Sequence, residues 1–325
     1  MSARRPLLMV FRWGIFLLAC VFLYVRLAGP KGIVAMGGPS FLGLLRMNVP
    51  VLLLVGALMV LNWSLESEKW RLLLRDVERI GPWRALMATI AGTSVALVSI
   101  NRTGEFLGRV LFLAPANRIA GGFATALGSI AQFVVTLVAG GIGLLLLTLS
   151  GTPLPWELGW MPWVLSTLTA LVACLALVLF LYPGLLRQLL LLVPFLHRFD
   201  QASKVLSGYQ RIDLRTVLLF STVRYLVFGS QFVLLLLAFG TGLSPWVAAL
   251  AVPVIYLIAT LIPSVMLTEL GVRGSVAIAM LAPLGADGAV VLFATTTLWM
   301  INVALPAIVG SSILLFAHIR TKGNE

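Results

Sequence analysis

From Ile119 to Leu149 the chain runs for 31 residues without an Asp, Glu, Lys or Arg. About 20 apolar residues suffice to cross the hydrocarbon core of a bilayer as a helix. No water is available there to satisfy backbone N–H and C=O groups, so an apolar span of this kind must form its hydrogen bonds internally. The run is therefore a helix, and an overlong one. It must tilt, kink or protrude, with Gly121-Gly122 and Gly140-Gly141 as the expected points of adjustment.

The rest of the composition agrees. The 325 residues are 60% hydrophobic and only 10% charged, with a mean hydropathy of +1.07, against about 25% charged residues in a soluble domain. This is the composition of an all-α, polytopic integral membrane protein, a single transmembrane domain over residues 1–325. Net charge is +12, but the cations fall in short loops between apolar spans, where topology and anionic lipid head groups account for them. No basic stripe interleaved with aromatics is present, so nucleic acid is not an expected partner. Cys20 and Cys174 lie in apolar runs and give neither a disulfide framework nor a metal spacing. Leu17-Leu18-Ala19-Cys20 has the look of a lipoprotein cleavage box. The apolar run continues to Val25, however, so a retained first helix is expected.

About eight membrane segments follow in order: Leu7–Arg26, Met47–Leu65, Trp83–Ser99, Ile119–Leu149, Trp163–Leu181, Thr216–Phe239, Trp246–Ile262 and Ala289–Ala317. The third and seventh are only 17 residues long and end in charged motifs, which makes them re-entrant or broken segments as readily as full spans. With the N-terminus inside and both short segments returning to the side they entered from, 18 of the 23 Lys and Arg residues fall inside. The positive-inside rule then puts both termini in the cytoplasm of a bacterial inner membrane. The two halves, about 1–150 and 151–325, repeat one order: span, span, short piece, charged motif, overlong span. Glu105 and Glu269 are 164 residues apart. Three crossings and one dip per half would invert the second half relative to the first, an architecture of secondary transporters.

The chemistry concentrates in the two charged motifs. Charge at a helix centre costs about 2.5–3.5 kcal/mol per residue on insertion scales. In Asn101-Arg102-Thr103-Gly104-Glu105-Phe106-Leu107-Gly108-Arg109, Glu105 and Arg109 share a helical face and should pair, while Gly104 and Gly108 form a small-xxx-small contact. Arg102 or Arg109 would hold a lipid phosphate, with Glu105 orienting the arginine; the plain alternative is a cytoplasmic loop whose arginines only set topology. In Thr268-Glu269-Leu270-Gly271-Val272-Arg273-Gly274, Glu269 and Arg273 are again four apart, on a side where topology offers no reason for an arginine. Arg224 sits inside the sixth segment, either for function or snorkelling to the interface. The candidate substrate-binding set is thus Asn101, Arg102, Glu105, Arg109, Arg224, Glu269 and Arg273. Lys69, Trp70 and Arg71 read as an interfacial anchor, Asn62 and Asn302 as hydrogen-bonding across the bundle, and Gln132 and Thr295–Thr297 as lining a polar path or as interhelical glue. His197 and His318 lie near interfaces, unsuited to a proton relay. No catalytic or nucleotide-binding fingerprint is present, so no enzyme activity and no cofactor are expected.

Asn62-Trp63 through Trp70-Arg71, the two Glu-x-x-x-Arg motifs, Ile262-Pro263-Ser264 and Asn302 to Pro306 together resemble the transmembrane, flippase-like family named for the membrane half of lysylphosphatidylglycerol synthase. The resemblance spans nearly the full length. It implies a lipid flippase-like transporter of an aminoacylated or otherwise modified phospholipid, or of a polyprenol-linked lipid. Its partners would be membrane lipids, further copies of the chain or a separate synthase. The alternative is a non-transporting membrane scaffold for an envelope lipid or glycan enzyme. A stand-alone member without a soluble aminoacyltransferase domain is expected, so synthase activity is not carried over. Relatives have Thr-Pro before the first motif; here Ser99-Ile100 stands there, and the helix break is expected at Gly104.

Overall fold

The computed structural model describes residues 41–96, 99, 103–155, 159–263 and 266–316. The first predicted segment, Asn101, Arg102, Ser264, His318 and the basic tail lie outside them. The described residues are helical, with no strand among them. The main helices are α1 (Val49–Leu73), α2 (Pro82–Ala96), α3 (Gly104–Val110), α4 (Arg118–Leu149), α5 (Met161–Leu181), α6 (Pro183–Leu191), α7 (Arg211–Ala238), α8 (Pro245–Leu261), α9 (Met266–Leu281), α10 (Gly288–Trp299) and α11 (Leu305–Phe316). One π turn, Met300–Ala304, joins α10 to α11.

Among the described residues five stretches are long and apolar enough to cross a membrane: Val49–Leu73, Pro115–Leu149, Met161–Leu181, Arg211–Ala238 and Gly288–Phe316. At 1.5 Å per residue α4 is about 48 Å long, well beyond a hydrocarbon core of about 30 Å. It runs unbroken through both glycine pairs that were expected to adjust it. Helix α2, with 15 residues, reaches only about 22 Å. Helix α5 turns Leu168, Leu171 and Leu175 outward, the apolar surface that lipid tails cover.

Helices in lipid gain little from hydrophobic association and pack through small residues and hydrogen bonds instead. Helix α1 lies against α7, and α2 folds back on α3. A Cβ on Gly108 would stand 2.6 Å from the Gly92 Cα, so the predicted small-xxx-small contact is made, with α2 as its partner. Helix α2 is described as far as Ala96 and α3 starts at Gly104, whose N–H donates to Ser99 Oγ at 2.7 Å. Further on, α4 lies against α8 and α11 against α2. Both contacts are close: a Cβ on Gly143 would meet the Leu250 carbonyl oxygen at 2.7 Å, and one on Gly310 would overlap the Ile90 carbonyl. Ser94 Oγ donates to the Ala307 carbonyl oxygen at 2.7 Å across the second contact.

The second motif opens a helix instead of closing one, since Glu269 and Arg273 lie in the first turns of α9, which continues to Leu281. Buried apolar residues form two large clusters. One gathers α1, α7, α8, α9 and α10 around Phe232, Tyr256 and Phe293; the other gathers α2, α4, α5 and α7 with the C-terminal end of α1 around Trp70, Leu127 and Phe180. Gly310→Ala is expected to lower the melting temperature of the purified protein, by overpacking worth about 1–3 kcal/mol. Gly122→Ala, whose added methyl meets nothing within 4 Å, should leave it unchanged or slightly raised.

Candidate functional site

Along α1, Asn62, Glu66, Lys69 and Leu73 recur at helical spacing, and all four are buried. Glu68 and Arg71 pair with each other on the exposed face. The apolar part of α1 therefore continues into a polar, inward-facing stripe, and the interfacial anchor expected at Lys69-Trp70 is not one. Lys69 is 2% exposed and Trp70 1%, with Trp70 Nε1 donating to Thr125 Oγ1 of α4 at 2.8 Å. Arg71 alone faces outward.

Glu66 is the centre of the stripe. Its Oε1 accepts from Arg109 Nη2 of α3 at 2.9 Å. Its Oε2 lies 2.7 Å from Lys69 Nζ and 3.2 Å from Arg224 Nη1 of α7. Lys69 Nζ also donates to the Gly128 carbonyl oxygen of α4 at 3.3 Å. Arg109 pairs in addition with Glu105, as their spacing predicts, and Arg224 Nη1 donates to Gln132 Oε1 at 3.1 Å. Arg224 thus faces the bundle interior, and the snorkelling alternative fails. One carboxylate serves three cations from three helices.

A cavity of about 300 Å³ opens beside this cluster, at the lower end of the range for ligand pockets. Glu66, Lys69, Glu105 and Arg224 line it, and so does Arg273 of the second motif. The two charged motifs, 164 residues apart in sequence, meet at one space. Arg273 pairs with Glu269, and its guanidinium stands 5.7 Å from the Phe228 ring and 5.8 Å from Tyr256. Arg224 stands 5.9 Å from the Trp63 ring. Tyr225, Phe133 and Phe106 complete an aromatic wall. Arg109, 3% exposed, is behind that wall and holds Glu66 and Glu105 in place.

The amides divide differently from expectation. Gln132, Asn62 and Asn302 all line the cavity. Asn302 Nδ2 bonds its own helix at Leu298 instead of crossing the bundle. Asn62 Oδ1 and Asn302 Oδ1 are buried without a hydrogen-bond partner among the described residues. Thr295 and Thr297 donate to carbonyls one turn back, so these two hydroxyls neither line the main cavity nor bridge helices. Outside the membrane segments, Tyr209 donates to the Leu73 carbonyl oxygen at 2.7 Å. Burial, with Asp76 and Asp213 nearby, pushes its hydroxyl well above the usual tyrosine range, so it remains a neutral donor there. Among the described residues no group of three or more His, Cys, Asp or Glu side chains is gathered for a metal ion.

A membrane cavity with ionic walls is what the residues build, and comparison with known proteins gives it a context. The family described as the lysylphosphatidylglycerol synthase TM region matches residues 2–310. The chain belongs to this family. It is therefore a multi-pass membrane protein of a group connected with lipid metabolism and transport. No curated protein and no solved structure matches it. Within this member of the family, Glu66 and Lys69 are site residues that the motif-centred reading missed, although the 62-66-69-73 stripe carried the signal. Glu66→Gln is expected to destabilise the protein by about 3–5 kcal/mol, because it leaves buried cations uncompensated. Glu68→Gln, on the solvent-facing pair, should cost less than about 0.5 kcal/mol. Thermal melts of the two purified variants in the same detergent check the contrast.

Proposed function

We propose that the chain is a flippase-like transporter that moves a phospholipid or lipid-linked head group between leaflets. The observation that carries this reading is the ionic cavity of about 300 Å³ that receives side chains from both charged motifs within a bundle of apolar helices. Ionisable groups at such a depth are expensive and cluster on transport pathways. A head group would occupy the cavity while its acyl chains stay in lipid. Arg224 and Arg273 would engage the phosphate, with Glu66, Glu105 and Arg109 holding the geometry.

The inverted repeat belongs to this proposal. Its support is reciprocal: α4 of the first half packs on α8 of the second, and α11 of the second packs on α2 of the first. Each contact passes through a glycine set against a carbonyl, Gly143 on Leu250 and Gly310 on Ile90. Rocking of one half against the other would then expose the cavity alternately. Re-entry of α2–α3 and α8–α9, both termini in the cytoplasm, a bacterial inner membrane and the lack of enzyme activity are parts of the same reading. The scaffold alternative predicts a solid bundle, which the cavity disfavours.

Reconstituted into proteoliposomes with a fluorescent short-chain phospholipid, the wild-type chain is expected to speed head-group translocation. Arg273→Ala and Glu105→Gln should each slow it by about tenfold or more, ~1.4 kcal/mol in the barrier. Rates equal to wild type in both would remove these residues from the site.

A further inference from the structure

We infer that the cavity selects a head group with one net negative charge, a phosphodiester joined to an uncharged polyol, over zwitterionic head groups and over aminoacylated ones with net positive charge. The inference rests on the transporter reading above and narrows its substrate. Among the described residues, the ionic groups in and directly behind the cavity wall are Lys69, Arg109, Arg224 and Arg273 against Glu66, Glu105 and Glu269. Cations outnumber anions by one. Glu105 goes to Arg109 and Glu269 to Arg273, which leaves Glu66 shared among Lys69, Arg109 and Arg224. A desolvated excess of positive charge is stabilised by an incoming anion and opposed to an incoming cation.

The aromatic wall argues the same way. Aromatic faces can hold an ammonium group. Of the six rings that line the cavity, however, Phe228 and Tyr256 already carry Arg273 and Trp63 carries Arg224, so an ammonium at these three would meet a guanidinium. A phosphate instead meets two guanidinium groups whose planar donors suit its oxygens. The polyol follows from a separate observation. Asn62 Oδ1 and Asn302 Oδ1 belong to side chains only 2% and 3% exposed, line the cavity and have no donor among the described residues. Buried acceptors of this kind call for hydroxyl donors, which a glycerol-type head group supplies.

The test uses the full chain in nonionic detergent, with binding followed by native mass spectrometry and by thermal shift. The probes are dihexanoyl phosphatidylglycerol, its lysyl ester, dihexanoyl phosphatidylcholine and inorganic phosphate. Phosphatidylglycerol is expected to bind about tenfold or more tightly than the other three. Gln132→Glu places a carboxylate beside Arg224 and cancels the excess charge with no cation removed. Its expected effect is to bring phosphatidylglycerol and phosphatidylcholine within about threefold of each other. Equal wild-type affinity for phosphatidylcholine or the lysyl ester overturns the inference, as does an unchanged preference in a folded Gln132→Glu protein. Equal affinity for inorganic phosphate overturns the lipid assignment. If Gln132→Glu does not fold, the wild-type series decides alone. Translocation without charge preference sinks only this inference, whereas no binding and no translocation of any lipid takes the transporter reading with it.

Discussion

The arrangement depends on one carboxylate. Glu66 is taken out of water, and such a group is tolerated only when its charge is met and its oxygens are bonded. Lys69 from its own helix, Arg109 from α3 and Arg224 from α7 meet it. Helix α3 has seven residues, far too few to be stable as an isolated helix. It holds its place because glycines let it lie on α2 and because Arg109 reaches Glu66. The same contacts orient Glu105 towards the cavity. Helix geometry, local packing and the chemistry of the site are therefore consequences of a single desolvated charge cluster, in a medium where Coulomb forces are weakly screened.

Much of this was legible in the chain itself. Apolar run lengths identified the long helices, because lipid leaves the backbone little else to form. The Glu105–Arg109 and Glu269–Arg273 pairs followed from i,i+4 spacing, and the Gly104–Gly108 contact from the need of small residues for close approach. The family was legible from the same motifs. Meeting of the two motifs at one cavity was not, because spacing along a chain carries no information on which helix lies opposite.

Lys69 was misread, and Glu66 passed over, for a related reason. A charged stretch at the end of an apolar helix looks the same whether that end meets water or is wrapped by neighbours. Here Gly128, Thr125 and Gln132 of the overlong α4 wrap it. The extra length of α4 thus covers polar surface rather than crossing lipid. Asn302 was misplaced because its amide bonds its own helix, a partner always within reach, in preference to a neighbour.

The π turn at Met300–Ala304 has a consequence of its own. It holds one residue more than an α turn would, and each residue of an α-helix advances the side chains by about 100°. The turn therefore acts as a phase shifter within one membrane-crossing rod. Above it, Val291, Ala294 and Leu298 address the core shared with α9, while below it Ala307, Gly310 and Ser311 present a different bearing to α2. Regular α winding of the same residues, without the wide turn, would carry Gly310 about 100° away from the Ile90 carbonyl. Both faces of the rod are thereby bound to the wide turn, which absorbs one residue more than an α turn and keeps the lower face on α2.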